Sequence, residues 1–110
     1  MSQKPRQSPV QLAFRRILEI LARGAGPDRM GREADAIVAQ LREQGDAEQV
    51  QTWLEELRDG FAENAEAAFE AIDEIESTQK AERRHAENAA HAMVACRDAF
   101  GRHLRAPAFA

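Results

Sequence analysis

The sequence predicts an all-α protein, a small helical bundle with three short helices and one long C-terminal helix. Ala alone supplies 22 of the 110 residues, and Glu, Arg and Gln, which also favour helices, are abundant. Val, Ile and Thr, the residues enriched in β-strands, together supply only 11. Apolar residues recur every three or four positions along most of the chain, which is the period of a helix with one buried face. A β fold is therefore disfavoured.

The length corresponds to one helical domain, 1–110, whose first seven residues we expect to form a disordered tail. Leu, Ile, Val and Phe supply only 21 residues, so one chain has little apolar material for a dense core of its own. The basic N-terminus is followed by no apolar signal segment, and no apolar run is long enough to cross a membrane. The single cysteine excludes an internal disulfide. These features predict a cytoplasmic protein without membrane contact.

The N-terminal half contains three short predicted helices, near 9–23, 29–44 and 46–59. The first two begin beside residues whose side chains can cap free backbone N–H groups, Ser8 and Asp28, and they end at Gly24 and Gly45. Asp46 starts the third, which runs up to the residue before Gly60.

The C-terminal half has apolar positions at helical spacing and no strong breaker between Gly60 and Gly101. Two interpretations fit this pattern: one helix over 61–104, which we favour, or two helices that meet near Ser77-Thr78. A single helix of 44 residues would span roughly 66 Å, far more than the body of a 110-residue domain. Its apolar seam would then need a partner, which predicts a homodimer.

Residues 86–100 carry the richest part of that seam, with ten apolar residues in fifteen. Small side chains let helices approach closely, and a helix that is apolar on most sides is normally enclosed. This stretch either packs against the chain's own first helix or forms the dimer contact, and one broad band can do both. The predicted dimer-interface residues are Ala86, Ala89, Met93, Cys96 and Phe100.

Charge is distributed unevenly along the chain. Residues 1–32 carry a net charge of +5, residues 33–76 carry −12, and residues 77–110 carry +3. The acidic stretch is either a solvated face partly neutralised by the basic ends, or a surface offered to a basic partner such as the DNA-binding face of another protein.

No arrangement of residues indicates catalysis, so we expect no enzymatic activity, no cofactor and no metal site. Glu82 and His85 have the i, i+3 spacing of carboxylate metal sites, but such sites need two copies and two further carboxylates. His91, Cys96 and His103 lie five and seven residues apart, which does not bring two zinc ligands together on a helix. The second and third helices are acidic, which disfavours direct nucleic-acid binding.

The first helix joins large apolar residues to positive charge. Val10, Phe14, Ile17 and Leu21 form one stripe, and Leu12 and Ile20 lie off it. A surplus of apolar residues should remain at the surface, where it marks an interaction site. Packing on a dimer mate is the alternative for Leu12 and Ile20. The predicted partner-binding residues are Leu12, Arg15, Arg16 and Ile20.

In its length, helical content, long helix and lack of catalytic or DNA-reading motifs, the chain resembles small cytosolic anti-activators of Gram-negative bacteria. Those proteins bind LuxR-type quorum-sensing regulators, LasR among them. The resemblance implies a regulator that binds a transcription activator and covers its dimerisation or DNA-binding surface. It carries over no individual residues. Two other classes fit the sequence: a phage-type acidic helical inhibitor of a bacterial defence complex, and a metal-binding helical oligomer.

Overall fold

The computed structural model describes residues 8–105, which form four α-helices and contain no strand. The helices are α1 (Pro9–Ala22), α2 (Pro27–Gln44), α3 (Ala47–Asp73) and α4 (Lys80–Arg105). The all-α class is therefore confirmed. The predicted tail, residues 1–7, lies outside the described residues.

The predicted cap Ser8, and Asp46 at the predicted start of the third helix, are both N-caps with reciprocal hydrogen bonds. The backbone N–H of Gln11 donates to Ser8 Oγ at 3.1 Å, and the Ser8 N–H donates back to Gln11 Oε1 at 2.9 Å. Asp46 and Gln49 repeat this exchange at the start of α3, at 2.8 and 3.0 Å. Each pair satisfies two backbone donors that a helix start leaves free, so both starts are set locally by sequence.

The start of α2 differs from the prediction. Its N-cap is Gly26, with Pro27 at the first helical position, so Asp28 lies inside the first turn and is not the cap. The Asp28 carboxylate still lies at the positive end of the helix dipole. The preceding turn requires Gly24, whose φ of +86° is a left-handed conformation that other residues rarely adopt.

The favoured prediction of one long helix over 61–104 is wrong. No helix ends at Gly60: α3 continues through it to Asp73, and the chain turns back at residues 74–79. The alternative, a break near Ser77-Thr78, gives the observed boundary. This arrangement lets α4 cover the apolar side of α3, and packing of this kind stabilises helices more than intrinsic propensity does.

The core lies where all four helices meet. α4 packs against both α2 and α3, and α1 packs on α2 and α3. Contacts of Asn88 with Ala25 and of Cys96 with Met30 show that α4 runs parallel to α2. The hairpin of α3 and α4 is antiparallel. The buried core residues at this junction include Ile17, Met30, Ile37, Val38, Leu41, Leu54, Leu57, Phe61, Cys96 and Phe100.

The hairpin extends beyond this core. The described residues measure 50 × 47 × 20 Å, and their radius of gyration is 15.6 Å. A compact chain of this length would have a radius of about 13 Å. The difference reflects the outer part of α3 and α4, which lies beyond the four-helix junction.

Candidate interaction surfaces

The exposed side of α1 carries two large apolar side chains. Leu12 is 51% exposed and Leu18 is 46% exposed. Leu12 agrees with the expectation from sequence, whereas Ile20 is half-buried and packs against the core. Leu18 was not among the predicted partner-binding residues, although it is nearly as exposed as Leu12. Its position beside Arg15 and Glu19 was the signal that it faces solvent.

Leu12 borders a groove between α1 and α2. This groove has a volume of about 200 Å³, and its apolar lining includes Ala13, Ile37 and Leu41. Arg16 lies at its edge, where it approaches Glu33 of α2 at 3.9 Å. Leu18 borders a second and more open depression on the other side of α1, next to Phe14 and Ala22. The two exposed leucines therefore belong to different flanks of the helix.

The predicted arginines do not rim a single patch. Arg15 forms an exposed ion pair with Glu19 one turn along α1, at 3.5 Å. Arg16 points toward α2, as its contact with Glu33 shows. Exposed pairs of this kind contribute little to stability, so both guanidinium groups remain free to exchange partners.

The solvent-facing side of α3 is a continuous acidic surface. It carries eight exposed carboxylates, and Arg58 is the one cation on the helix. Most of them are three, four or seven residues apart, which aligns them along one side over about 38 Å. Among residues 8–105, only Asp59 of this set forms an ion pair, with Arg58 at 3.0 Å. This acidic ridge consists of Glu48, Glu55, Glu56, Asp59, Glu63, Glu66, Glu70 and Asp73.

Two of the predicted dimer-interface residues have no accessible surface. Cys96 and Phe100 are 0% exposed within the chain's own core. The Phe100 ring stacks with Phe61 at 6.0 Å between centroids, and Cys96 Sγ lies 3.7 Å from the Met30 carbonyl oxygen. Burial raises the pKa of the Cys96 thiol to about 12, so the thiolate that reacts with oxidants is suppressed.

The other three predicted interface residues retain some surface. Ala86, Ala89 and Met93 are half-buried, and Met93 packs against the core. Their exposed parts are the portion of the predicted dimer interface that a second copy could still contact. Dimerisation itself stays a prediction.

The histidines lie apart from one another. His91 contacts Phe69 edge-on, with 5.3 Å between ring centroids. His103 lies beside α2, where its Nε2 is 2.9 Å from Asp35 Oδ1 and its Nδ1 is 3.5 Å from Arg42 Nη2. Within the described part of the chain, no group of three His, Cys, Asp or Glu side chains is arranged to hold a metal ion.

None of the described helices is long and apolar enough to cross a membrane. Comparison of the chain with protein-family models, with curated proteins and with solved structures finds no match.

Proposed function

We propose that the chain is a regulator that acts by binding another protein, and that its partner is a bacterial transcription activator. On this proposal it is an anti-activator that covers the partner's DNA-binding or dimerisation surface. The observation that supports the proposal is the acidic ridge of α3. Eight carboxylates with one cation beside them present a negative field over about 38 Å of surface.

A DNA-binding surface is basic because it neutralises phosphates, so an acidic ridge is complementary to it. The ridge carboxylates are exposed and, apart from Asp59, are in no ion pair with another described residue. Apart from Asp59, they can therefore meet a partner's Lys and Arg without first breaking an ion pair. Complementary charge of this kind accelerates association and selects the partner more than it adds raw affinity.

The α1 surface supplies apolar contact that the ridge lacks. Leu12 and Leu18 are exposed, and Arg15 and Arg16 lie near them. Apolar anchors surrounded by polar groups are the usual anatomy of a protein interface. We propose Leu12, Arg15 and Arg16 as partner-contacting residues, with Ile20 contributing only the part of its side chain that is not packed.

We also propose that the chain is a homodimer. The exposed parts of Ala86, Ala89 and Met93 are surface on α4 that a second copy could contact. A dimer that uses α4 leaves the acidic ridge on α3 free for the partner.

The experiment measures competition with DNA. A LuxR-type activator on its fluorescent operator is titrated with the chain, and release of DNA is followed by anisotropy at 50 and 200 mM salt. We expect release at low salt. Because salt also weakens the activator's binding to DNA, the salt dependence is read from binding of the chain to the activator without DNA, which should weaken at 200 mM. The double variant Glu63→Gln/Glu70→Gln should release DNA less well. The matched control Glu43→Gln/Glu87→Gln changes the same charge outside the ridge and should behave as the wild type.

The same ridge supports a second candidate, an acidic inhibitor that occupies the nucleic-acid site of a bacterial defence complex. The two candidates differ in the protein captured from a host extract by the wild type and lost with the ridge variant. A nucleic-acid-guided nuclease or its subunit would favour the inhibitor, and a transcription activator would favour the regulator. No observation favours the third class, a metal-binding oligomer.

A further inference from the structure

The end of the α3–α4 hairpin contains very little buried surface. We call residues 62–87 the arm; it lies beyond Phe61 on α3 and before Asn88 on α4. Of its 26 residues, only Ala65 and Ile72 are buried. The residues of the four-helix core reach as far as Phe61 on α3, and on α4 they begin at Ala92.

The four-helix body ends where α2 begins. Asn88 Nδ2 donates to the Ala25 carbonyl oxygen at 3.4 Å, in the loop before α2. Over residues 80–87 of the described structure, the side-chain hydrogen bonds come from Arg83 and go to Ile72 in α3 and to Ile75 in the turn. The arm is therefore a two-helix segment with only Ala65 and Ile72 buried, and helices gain most of their stability from packing of an apolar face.

Arg83 closes the arm. Its Nη1 donates to the Ile75 carbonyl oxygen at 2.8 Å and to the Ile72 carbonyl oxygen at 3.2 Å. These carbonyls lie at and just beyond the C-terminal end of α3, where the helix dipole is negative, and the Ile72 carbonyl oxygen also accepts the Ile75 N–H at 3.0 Å. Asp73, Glu74 and Glu76 add negative charge at the same place, so the Arg83 guanidinium supplies both the hydrogen bonds and the opposing charge.

We infer that the arm opens and closes as a unit while the four-helix body stays folded, and that Arg83 is the latch that holds it closed. Regions with few buried apolar contacts open at a lower free energy than the whole domain. Opening separates Ile72 from α4 and exposes it together with the outer end of α3. This inference does not depend on the proposed function.

The test is amide hydrogen exchange of the full chain, read by mass spectrometry of peptides from the arm and from the body. In the wild type we expect amides of the arm, 62–87, to exchange at least tenfold faster than those in 92–100, as for separate units of different stability. Arg83→Gln should speed exchange in the arm by about a further tenfold, since hydrogen bonds from a charged group are lost. Exchange in the body should stay unchanged.

Arg84→Gln is the matched control. Arg84 is the exposed neighbour of Arg83, and this substitution removes the same charge. It should leave arm exchange close to that of the wild type. Ile72→Ala tests the arm without touching the latch and should also speed exchange in the arm alone. Arm and body amides that exchange at one common rate would overturn the inference. So would an Arg83→Gln variant that speeds both regions equally, or an Arg84→Gln variant with the same effect as Arg83→Gln.

Discussion

Gly60 lies in the middle of α3 beneath the ring of Phe14 from α1. A Cβ atom added at Gly60 would lie 2.1 Å from Phe14 Cζ and 3.0 and 3.1 Å from its two Cε atoms. The ring cannot turn away freely, because it is stacked on Phe61 with 4.6 Å between centroids. The Gly60→Ala variant therefore forces the ring outward and opens the contact between α1 and α3.

Two opposing terms set the size of this effect. Replacing an interior helical glycine by alanine normally stabilises a helix by about 1 kcal/mol. Overpacking typically costs about 1–3 kcal/mol, and an aromatic pair contributes about 0.5–1.5 kcal/mol beyond its buried area. Since the added atom would lie well inside contact distance, we expect the steric cost to exceed the gain. Gly60→Ala should lower the free energy of unfolding by about 1–2 kcal/mol.

Gly31 provides the matched control. It lies in the interior of α2, and an added Cβ there would meet no other atom within 4 Å. Gly31→Ala should therefore raise the free energy of unfolding by up to about 1 kcal/mol. Both variants are measured by urea unfolding, followed by helical circular dichroism and by the fluorescence of Trp53, the single tryptophan.

A double-mutant cycle with Phe14→Ala isolates the contact. In the Phe14→Ala background the added methyl group meets no ring, so Gly60→Ala should stabilise the chain as Gly31→Ala does. The reasoning is refuted if Gly60→Ala stabilises the otherwise unchanged protein as much as Gly31→Ala. It is also refuted if the effect of Gly60→Ala is the same with and without the Phe14 ring.

Three further predictions concern the thiol, the α1 surface and the assembly. The pKa of the Cys96 thiol is about 12 in the folded protein, above its ordinary value of 9.0, so the thiol stays protonated to a higher pH in the native state than in the unfolded chain. The free energy of unfolding should therefore fall as pH rises from about 9 toward 12, and this component should vanish in Cys96→Ala; an identical pH dependence in the variant would contradict it. Leu12→Ser should change stability by no more than about 0.5 kcal/mol, because Leu12 is half exposed, while Leu57→Ser at a buried position should unfold the chain. Melting curves of the two variants measure the change in stability. A large loss of stability in Leu12→Ser would place that residue in the core. Sedimentation at micromolar concentration should show a dimer that Met93→Glu weakens, and a stable wild-type monomer would end that prediction.

Local signals in the sequence determined the helical class and most helix ends. Ser8 and Asp46 begin helices because their side chains accept from N–H groups three residues away. Gly24 ends α1 because it tolerates a positive φ. These features act within one turn of helix, so they can be recognised without knowing the rest of the fold.

The candidate surfaces followed from sequence only in part. The acidic stretch and the surplus of apolar residues on α1 were evident from composition and spacing. Leu12 lies at the surface as expected, but Ile20 is half-buried, and the exposed Leu18 was not predicted as a surface residue. Which flank of α1 is covered depends on where α2 and α3 lie, and that information is not local.

Tertiary packing decided the two features that the sequence left open or that were predicted wrongly. A glycine at position 60 suggested a helix end, yet Gly60 lies inside α3. The Phe14 ring occupies the space that a side chain at position 60 would fill. The chain turns at residues 74–79 although they contain no strong breaker, because folding back lets α4 cover Ile72 and Phe61. The continuity of α3 through Gly60 is also what aligns its carboxylates into one ridge. Helix ends are local properties of hydrogen bonding, whereas the choice between continuing and turning is made by whichever arrangement removes more apolar surface from water.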